Sequence, residues 1–429
     1  MTNTEWWRLG GRETARLPGW DLLHEYAEHV ADGHARTLLS LRAPLSVAAA
    51  TEHSLLDASG SAYLDLRCGG GVASLGHRVE PLVDALRNAL QTLDIGDWQL
   101  PSALRARFAK ELSATMSEGS WQWQFCVSGS ESNEFALLTA LRATGRDRIV
   151  ALDGGYHGHT ALAGAVTDPR FRAPRYQRLA HDVSHIPAYD DTALSRIDDQ
   201  VAAVIVEPVQ LTDAVRPLDP AYLRTVRDRC DLSGALLVFD EVKCGLNRTG
   251  PLWAHQVTGV VPDMLVAGKA LSGGLYPVAA CGIRVDGDRG PLMASRHDLS
   301  SSYAGSLLGM AVGQAALAQF VDPANWTVFE ASAVALQKAL EAHLQGAALP
   351  LASHRLGMAF EIKLESPDLA LFVASDLLHR RVLVPFPATA SLILLPPLNL
   401  PASSADTAAR HIAGALAAGR DLLGGQVSM

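Results

Sequence analysis

The pattern of apolar and polar positions changes about a quarter of the way along the chain. From Trp121 onward, apolar runs alternate with helical stretches; the runs read WQFCVS, RIVALD, AAVIVEPV, ALLVFD, MLVAGK and VAACGIR. Runs of this length, separated by helices, are typical of strands that are buried on both faces. The pattern therefore predicts an α/β fold with a largely parallel sheet covered by helices on both sides. Its functional side chains should lie at the carboxyl ends of the strands.

The two ends of the chain carry different patterns. Residues 21–34 place apolar side chains on one helical face, and short possible strands follow. After about Gln314, Ala/Leu-rich amphipathic helices surround two further apolar runs, AFEIKL and LILL. We predict an N-terminal segment (1–65) that packs with the small domain, a large domain (66–313) and a smaller C-terminal α+β domain (314–429).

Composition and charge narrow the class of protein. The chain has 429 residues, of which 48% are hydrophobic and 19% charged, and this balance indicates a well-packed globular protein. A net charge of −9 without a long Lys/Arg run argues against binding to nucleic acid or to an anionic membrane. No apolar run approaches the roughly 20 residues that a membrane span needs.

The cysteines and the first residues of the chain indicate the cellular compartment of the protein. Five cysteines are scattered without a CxxC spacing, which favours reduced thiols over a disulfide framework or a zinc site. The first residues, MTNTEWWRLGGRE, have no basic segment followed by a long apolar one, so neither a signal peptide nor an anchor is indicated. We expect a cytoplasmic protein.

Two charged residues of opposite sign end consecutive apolar runs. Asp240 ends LLVFD and Lys269 ends MLVAGK. Desolvation lowers the pKa of a lysine in apolar surroundings, which frees its amine for Schiff-base chemistry. An aspartate can keep a ring nitrogen protonated, so this pair suits pyridoxal 5′-phosphate. The alternative is that both residues are ordinary polar caps of strands.

The segment CVSGSESNEFALL resembles a strand, a tight turn and the start of a helix. Free N–H groups and the positive end of a helix favour an anion such as a phosphate there, with Gly129 and Ser130 closest to it. Alternatively, Ser130 only caps the helix. No GK[ST] follows, which excludes a Walker loop, and the cluster GGG at 69–71 has Ser74 where a dinucleotide motif needs its third glycine.

Further candidates follow other strands. In GGYHGHT, the Tyr156 ring could stack on a flat cofactor, and His157 is a second candidate. His157 and His159 could instead ligate a metal, but two histidines without a third ligand are a weak signal. Glu207, in IVEPV, could position a neighbour or contact the ring hydroxyl region; alternatively, it is a strand-end charge that faces solvent.

Together these segments resemble the class III, fold-type I pyridoxal-phosphate aminotransferases, a family that includes glutamate-1-semialdehyde aminomutase and related racemases. The resemblance extends from AYLDLRCGGGVASLGH to LPPL, and FDEV, NRTG and GKALSGG are its most specific motifs. It implies a large domain with a mostly parallel seven-stranded sheet between helices. It also implies roles for individual residues: the Schiff-base lysine and proton shuttle (Lys269), the partner of the pyridine nitrogen (Asp240), the phosphate turn (Gly129, Ser130) and the two ring faces (Val242, Tyr156).

Two departures from the family pattern concern the substrate and the partner subunit. A family threonine that reaches the phosphate of the neighbouring subunit is replaced by Ser302 in SYAGSLL, so the resemblance implies a homodimer with the active site at the subunit interface. Ile393 stands where members that bind an α-carboxylate carry a clamping arginine, unless Arg248 or another arginine substitutes for it.

The resemblance implies a ping-pong transamination. An amine or amino-acid donor would give its amino group to a carbonyl acceptor through the Lys269 Schiff base, and the departures from the family pattern favour a role in specialised biosynthesis. An aminomutase or racemase on the same scaffold is the first alternative, and a non-catalytic pyridoxal-binding protein is the second. A nicotinamide-dependent dehydrogenase is disfavoured by the glycine pattern.

Overall fold

The computed structural model describes residues 19–30, 33–43, 45–179, 182–285, 301–347 and 353–424. Its strands are β1 (Val47–Thr51), β2 (Ser54–Asp57), β3 (Ala62–Asp65), β4 (Trp121–Cys126), β5 (Arg148–Leu152), β6 (Val183–Ile186), β7 (Val201–Val206), β8 (Val209–Gln210), β9 (Arg216–Pro217), β10 (Leu236–Asp240), β11 (Met264–Ala267), β12 (Ala279–Arg284), β13 (Ser353–Leu356), β14 (Ala359–Lys363), β15 (Val382–Leu383) and β16 (Ser391–Leu394). Its α-helices are α1 (Gly19–His29), α2 (His34–Ser40), α3 (Cys68–Gly71), α4 (Glu80–Ala89), α5 (Ala103–Ser113), α6 (Gly129–Thr144), α7 (Ala161–Val166), α8 (Pro220–Ser233), α9 (Leu307–Val321), α10 (Pro323–Gly346), α11 (Pro367–His379) and α12 (Ala402–Gly424).

A seven-stranded sheet forms the centre of the fold. Its strand order is β4-β12-β11-β10-β7-β5-β6. The pairs from β11 to β6 are parallel, and β12 pairs with both of its neighbours in the antiparallel sense. Six strands therefore run in one direction and β12 runs against them. The predicted α/β class and the mostly parallel seven-stranded sheet are confirmed.

The central strands β7 and β10 lie in the interior of the sheet because their sequences are continuously apolar. Every residue of β7 and of β10 is buried. Side chains that point to alternate faces of these strands fill two separate cores, one containing Val238 and Ile205 and the other containing Phe239 and Val206. Because both faces are covered by helices, an alternating polar pattern is absent from these strands, as the apolar runs predicted.

The sheet brings the two charged strand ends side by side. β10 and β11 are parallel neighbours, and Asp240 lies opposite Val266. Lys269 comes three residues after Val266, where a short 3-10 helix, Lys269–Ser272, begins. Asp240 and Lys269 therefore lie at the carboxyl ends of adjacent strands, which is where open α/β sheets bind their ligands.

Three smaller sheets accompany the central one in the described residues. The N-terminal strands β1, β2 and β3 form the first with β15, which pairs with β3 in the parallel sense; β13, β14 and β16 form the second, and β8 and β9 form the third. Helix α10 packs against α12 in the C-terminal part. The domain limits at residues 65 and 313 stay a prediction, and residues 1–18 of the N-terminal segment lie outside the described residues. None of the helices in the described part of the chain is long and apolar enough to cross a bilayer.

Candidate active site

A buried carboxylate stands at the centre of the site. Asp240 Oδ2 accepts hydrogen bonds from Asn133 Nδ2 at 2.7 Å and from His157 Nδ1 at 2.8 Å. Asp240 Oδ1 accepts a third from the Val242 N–H at 3.0 Å. Donors that favour the ionised form compensate for the loss of water around a buried carboxylate. The three contacts therefore fix the orientation of the Asp240 carboxylate at the end of β10.

Lys269 presents its amine in the same cleft. Its backbone has a φ of 45°, a left-handed conformation that is uncommon for a lysine and that often marks a functional site. The side chain is half-buried. Desolvation lowers the pKa of Lys269, while the negative charges of Asp240 and Glu207 oppose this shift. An amine with a lowered pKa gives up its proton more readily, as a Schiff-base nucleophile requires.

The turn before α6 has the features of a phosphate site. Ser128 caps the helix, because its hydroxyl accepts the Glu131 N–H at 3.2 Å. Capping therefore belongs to Ser128 and not to Ser130, whose hydroxyl accepts the His159 N–H at 3.3 Å. Among the described residues, no hydrogen bond uses the N–H groups of Gly129 and Ser130. Two free donors at the positive end of a sixteen-residue helix suit a bound anion.

Glycines allow three segments of the site to meet. A Cβ on Gly129 would lie 2.7 Å from Cγ1 of Val242, so the phosphate turn packs directly on the residue predicted to cover one ring face. A Cβ on Gly158 would lie 2.2 Å from Oγ of Ser130. Real Cβ atoms do not come this close to other atoms, so the arrangement depends on glycine at both positions.

Tyr156 and Glu207 meet on the other side of the cleft. The Tyr156 N–H donates to Glu207 Oε1 at 2.8 Å, and the Tyr156 ring contacts that of His159 edge to face, with centroids 5.3 Å apart. Glu207 is buried, and desolvation raises its pKa to about 7. His157, which was also considered as a metal ligand, contacts Asp240. Within the described ranges, no group of three or more metal-ligating side chains is found.

Three contributors to the site were missed by the sequence reasoning. Asn133 lies one turn into α6 and donates both to Asp240 and to the His157 carbonyl, the latter at 2.8 Å. Gly71, with a φ of 96°, places its backbone beside the stems of Lys243 and Lys269. The sequence could have indicated Asn133, because this residue lies in the segment CVSGSESNEFALL together with Gly129 and Ser130. The positions of Gly71 and Lys243 depend on how distant loops pack.

Arg248 is not available as a substitute clamp. Its guanidinium is buried and donates to the carbonyls of Met358 at 2.9 Å and Pro396 at 2.7 Å, and to the Ser74 hydroxyl at 2.9 Å. These contacts tie the loop after β10 to the C-terminal part of the chain. Ile393, at the place of the family arginine, is buried in β16.

Ser302 has no hydrogen bond to the other predicted site residues in the described part of the chain. It is in an exposed turn that precedes α9. In the part of the chain that the structure describes, no hydrogen bond connects Ser302 with Lys269, Asp240 or the phosphate turn. A role for Ser302 at the site of the same chain therefore has no support.

The arrangement fits pyridoxal phosphate. The site offers an anion for the ring nitrogen (Asp240), an amine for the aldehyde (Lys269) and free N–H groups for the phosphate (Gly129, Ser130). Two buried polar atoms on the side chains that contact Asp240, Nε2 of His157 and Oδ1 of Asn133, have no hydrogen-bond partner among the described residues. Such atoms are often satisfied by water or a ligand.

Comparison with known proteins gives the family. The model of the class-III aminotransferases matches residues 40–350. An uncharacterized aminotransferase of Archaeoglobus fulgidus is 39% identical over 264 residues, which cover 61% of each chain. A [LysW]-aminoadipate semialdehyde/glutamate semialdehyde transaminase of Sulfurisphaera tokodaii is 37% identical over 261 residues, 61% of this chain and 66% of the relative. The chain thus matches less than two thirds of the length of either relative.

Solved structures share the fold over almost the whole chain. The ornithine aminotransferase of Toxoplasma gondii superposes with a TM-score of 0.83 at 22% identity, covering 98% of this chain and 99% of that one. A transaminase of the marine bacterium Virgibacillus gives a TM-score of 0.83 at 19% identity, with coverages of 94% and 100%. The fold of the pyridoxal-phosphate aminotransferases is confirmed. With a family model that matches most of its length, this chain belongs to the class-III aminotransferases.

Proposed function

We propose that the protein is a pyridoxal-phosphate-dependent aminotransferase that moves an amino group from an amine or amino-acid donor to a carbonyl acceptor. The observation that carries this proposal is the position of Lys269 and Asp240 at the ends of adjacent parallel strands. Asp240 is oriented there by Asn133 and His157. Relatives named as transaminases support the same reaction.

Each residue then has a defined task. Pyridoxal phosphate, when bound, supplies an aldehyde that accepts amines and a ring that withdraws electrons. Lys269 would bind the aldehyde through its amine and, once released by the donor, would move the proton from the donor. Asp240 would pair with the ring nitrogen. The N–H groups of Gly129 and Ser130 would hold the phosphate, and the Tyr156 and Val242 side chains would contact the ring.

We propose the substrates only by chemical class. The names of the relatives include acetylornithine aminotransferase and [LysW]-aminoadipate semialdehyde transaminase. They support a small-molecule amine donor and a carbonyl acceptor for this chain. Ile393 at the place of the clamping arginine argues that this chain does not hold a carboxylate in the manner that the family pattern implies. A role in specialised biosynthesis is compatible with that difference.

A homodimer is part of the same proposal. Apolar side chains are exposed around the turn that contains Ser302: Tyr303 is 60%, Leu100 63% and Trp98 38% exposed. Arg105 ties these segments together by donating to the carbonyls of Gly305 and Leu100. An exposed apolar surface of this kind suits a second copy of the chain, which would receive Ser302 near its phosphate site.

Compartment and domain organisation complete the proposal. All five cysteines are buried free thiols, which supports a reducing, cytoplasmic compartment. We retain the division into an N-terminal segment, a large cofactor-binding domain and a C-terminal domain. The pairing of β3 with β15 supports packing of the first segment on the last domain.

Replacement of the proposed Schiff-base lysine tests the function. Lys269→Ala should abolish conversion of a donor amine and should leave no adduct on the protein after borohydride reduction. Lys110→Ala, which alters an exposed lysine, is the matched control and should behave as wild type. Release of a carbonyl product from the donor by wild-type protein supports transamination, whereas product without a second substrate supports the mutase or racemase. Full turnover by Lys269→Ala would contradict the proposal.

A further inference from the structure

A second lysine shares the cleft with Lys269. Lys243 follows β10 by three residues, and its side chain is half-buried. A Cβ built on Gly71 would lie 3.9 Å from Cδ of Lys269 and 4.0 Å from Cγ of Lys243. The stems of the two lysines therefore flank the same glycine, and both amines belong to one site.

The Lys243 ammonium has unused hydrogen-bonding capacity. It donates to the Leu211 carbonyl at 2.6 Å, and an ammonium group has three donors. Among the described residues, no carboxylate lies within ion-pair distance of it. Desolvation, reinforced by the charge of Lys269, lowers its pKa to about 8, so the group is mostly charged at neutral pH. The carboxylates of Glu207 and Asp213 act on this charge from a distance and oppose the shift, but neither forms an ion pair with the ammonium among the described residues.

The wall next to this ammonium is apolar. The Leu211 side chain packs in one cluster with Val215, Cys244 and Ile393. Ile393 is the residue at the place of the family arginine, so this wall lacks that positive charge. The NH1 and NH2 groups of Arg248 are held by two carbonyls and by the Ser74 hydroxyl, so they are not free to form a bidentate contact with a substrate carboxylate. The Lys243 ammonium reaches the backbone of Leu211, one of the residues in this cluster.

We propose that Lys243 is a specificity residue that binds an anionic group of the substrate, a carboxylate in the first instance. The inference rests on the proposed aminotransferase function and names the chemical class of its substrate. When the substrate binds, its anionic group takes the place of the neutral Leu211 carbonyl as an acceptor for the Lys243 ammonium. A hydrogen bond between two charged groups is shorter and stronger than one to a neutral carbonyl. An ammonium makes a single-point contact and not the bidentate contact of an arginine, so it tolerates carboxylates at different distances from the reacting carbon.

Binding of a non-reacting dicarboxylate tests the proposal independently of turnover. Succinate would be titrated into cofactor-loaded protein, and its Kd would be read from the change in the visible absorbance. We expect Lys243→Gln to raise this Kd at least tenfold and Lys243→Arg to restore most of the affinity. The matched control, Lys110→Gln, should leave the Kd unchanged. An unchanged Kd in Lys243→Gln, or no succinate binding by the wild type, would overturn the proposal.

Donor selectivity is the second readout. Lys243→Gln should lower kcat/KM for L-glutamate, mainly through KM, at least tenfold more than it lowers kcat/KM for isopropylamine. An equal loss for both donors would assign Lys243 to the cofactor or to the fold and would overturn the inference. If no amine reacts with the wild type, the proposed function fails, and succinate binding still decides the role of Lys243.

Discussion

Asn133 and Asp240, which are 107 residues apart in the chain, are joined by a buried hydrogen bond of 2.7 Å between the side-chain amide and the carboxylate. The same amide donates to the carbonyl of His157, whose ring contacts the same carboxylate oxygen. Three segments of the chain therefore meet at one anion. This arrangement orients the carboxylate before any ligand binds, as an electrostatic role requires.

We predict that Asn133→Ala weakens cofactor binding. The change removes one donor from a buried carboxylate and leaves the His157 carbonyl without its partner, and a hydrogen bond to a charged group contributes about 1.5–3 kcal/mol. The Kd for pyridoxal phosphate, measured by absorbance titration, should therefore rise about tenfold or more. Thr139→Val is the control: it alters a buried hydroxyl of the same helix that has no hydrogen-bond partner among the described residues, and it should leave the Kd unchanged. Equal affinities of Asn133→Ala and the wild type would contradict this role.

Gly129→Ala should disturb both stability and the cofactor site. The added methyl would lie 2.7 Å from Cγ1 of Val242, which must move away from the cleft. Overpacking of this kind costs about 1–3 kcal/mol, which urea unfolding can measure. Gly346→Ala is the control, because a Cβ there would meet no atom within 4 Å, and alanine favours a helix. A Gly129→Ala protein as stable as the control would show that the packing is more tolerant than we infer.

Ionisation of Glu207 should make stability depend on pH. Its pKa is raised from 4.5 in the unfolded chain to about 7 by desolvation, although the charges of His157 and Lys243 act in the opposite direction. The folded state thus keeps a proton that the unfolded state releases, so this contribution is fully present below about pH 4.5 and is lost as the pH rises through 7.

Glu207→Gln removes that dependence. Relative to the wild type, the variant without cofactor should gain stability between pH 5 and pH 8, by on the order of 2–3 kcal/mol. Urea unfolding at the two pH values measures the difference. Glu118→Gln, at an exposed position, should show no such gain. A constant difference between Glu207→Gln and the wild type across this range would refute the assignment.

Arg248→Lys should destabilise the protein without changing its choice of donor. A lysine cannot reach the carbonyls of Met358 and Pro396 and the Ser74 hydroxyl in the fork geometry of a guanidinium. Loss of buried hydrogen bonds should lower the free energy of unfolding by about 2–4 kcal/mol. The ratio of kcat/KM for L-glutamate to that for isopropylamine should stay constant; a selective loss for glutamate would instead make Arg248 a substrate clamp.

Some features of the site could be read from the sequence because they are local. The apolar runs predicted the strands, and the charges at their ends predicted where chemistry could occur. Ser128, by contrast, caps α6 in the place considered for Ser130, because the helix begins one residue before Ser130. A shift of this size lies within the ordinary uncertainty of helix ends.

By itself, the sequence determined that this chain forms a parallel sheet with an aspartate and a lysine at strand ends, since burial on both faces demands continuous apolar runs. Only the tertiary structure decided which distant groups act together. Asn133 reaches Asp240, Arg248 is used by the C-terminal part, and Lys243 lies beside Lys269. These contacts depend on strand order and loop packing, which bring together residues that no local pattern links.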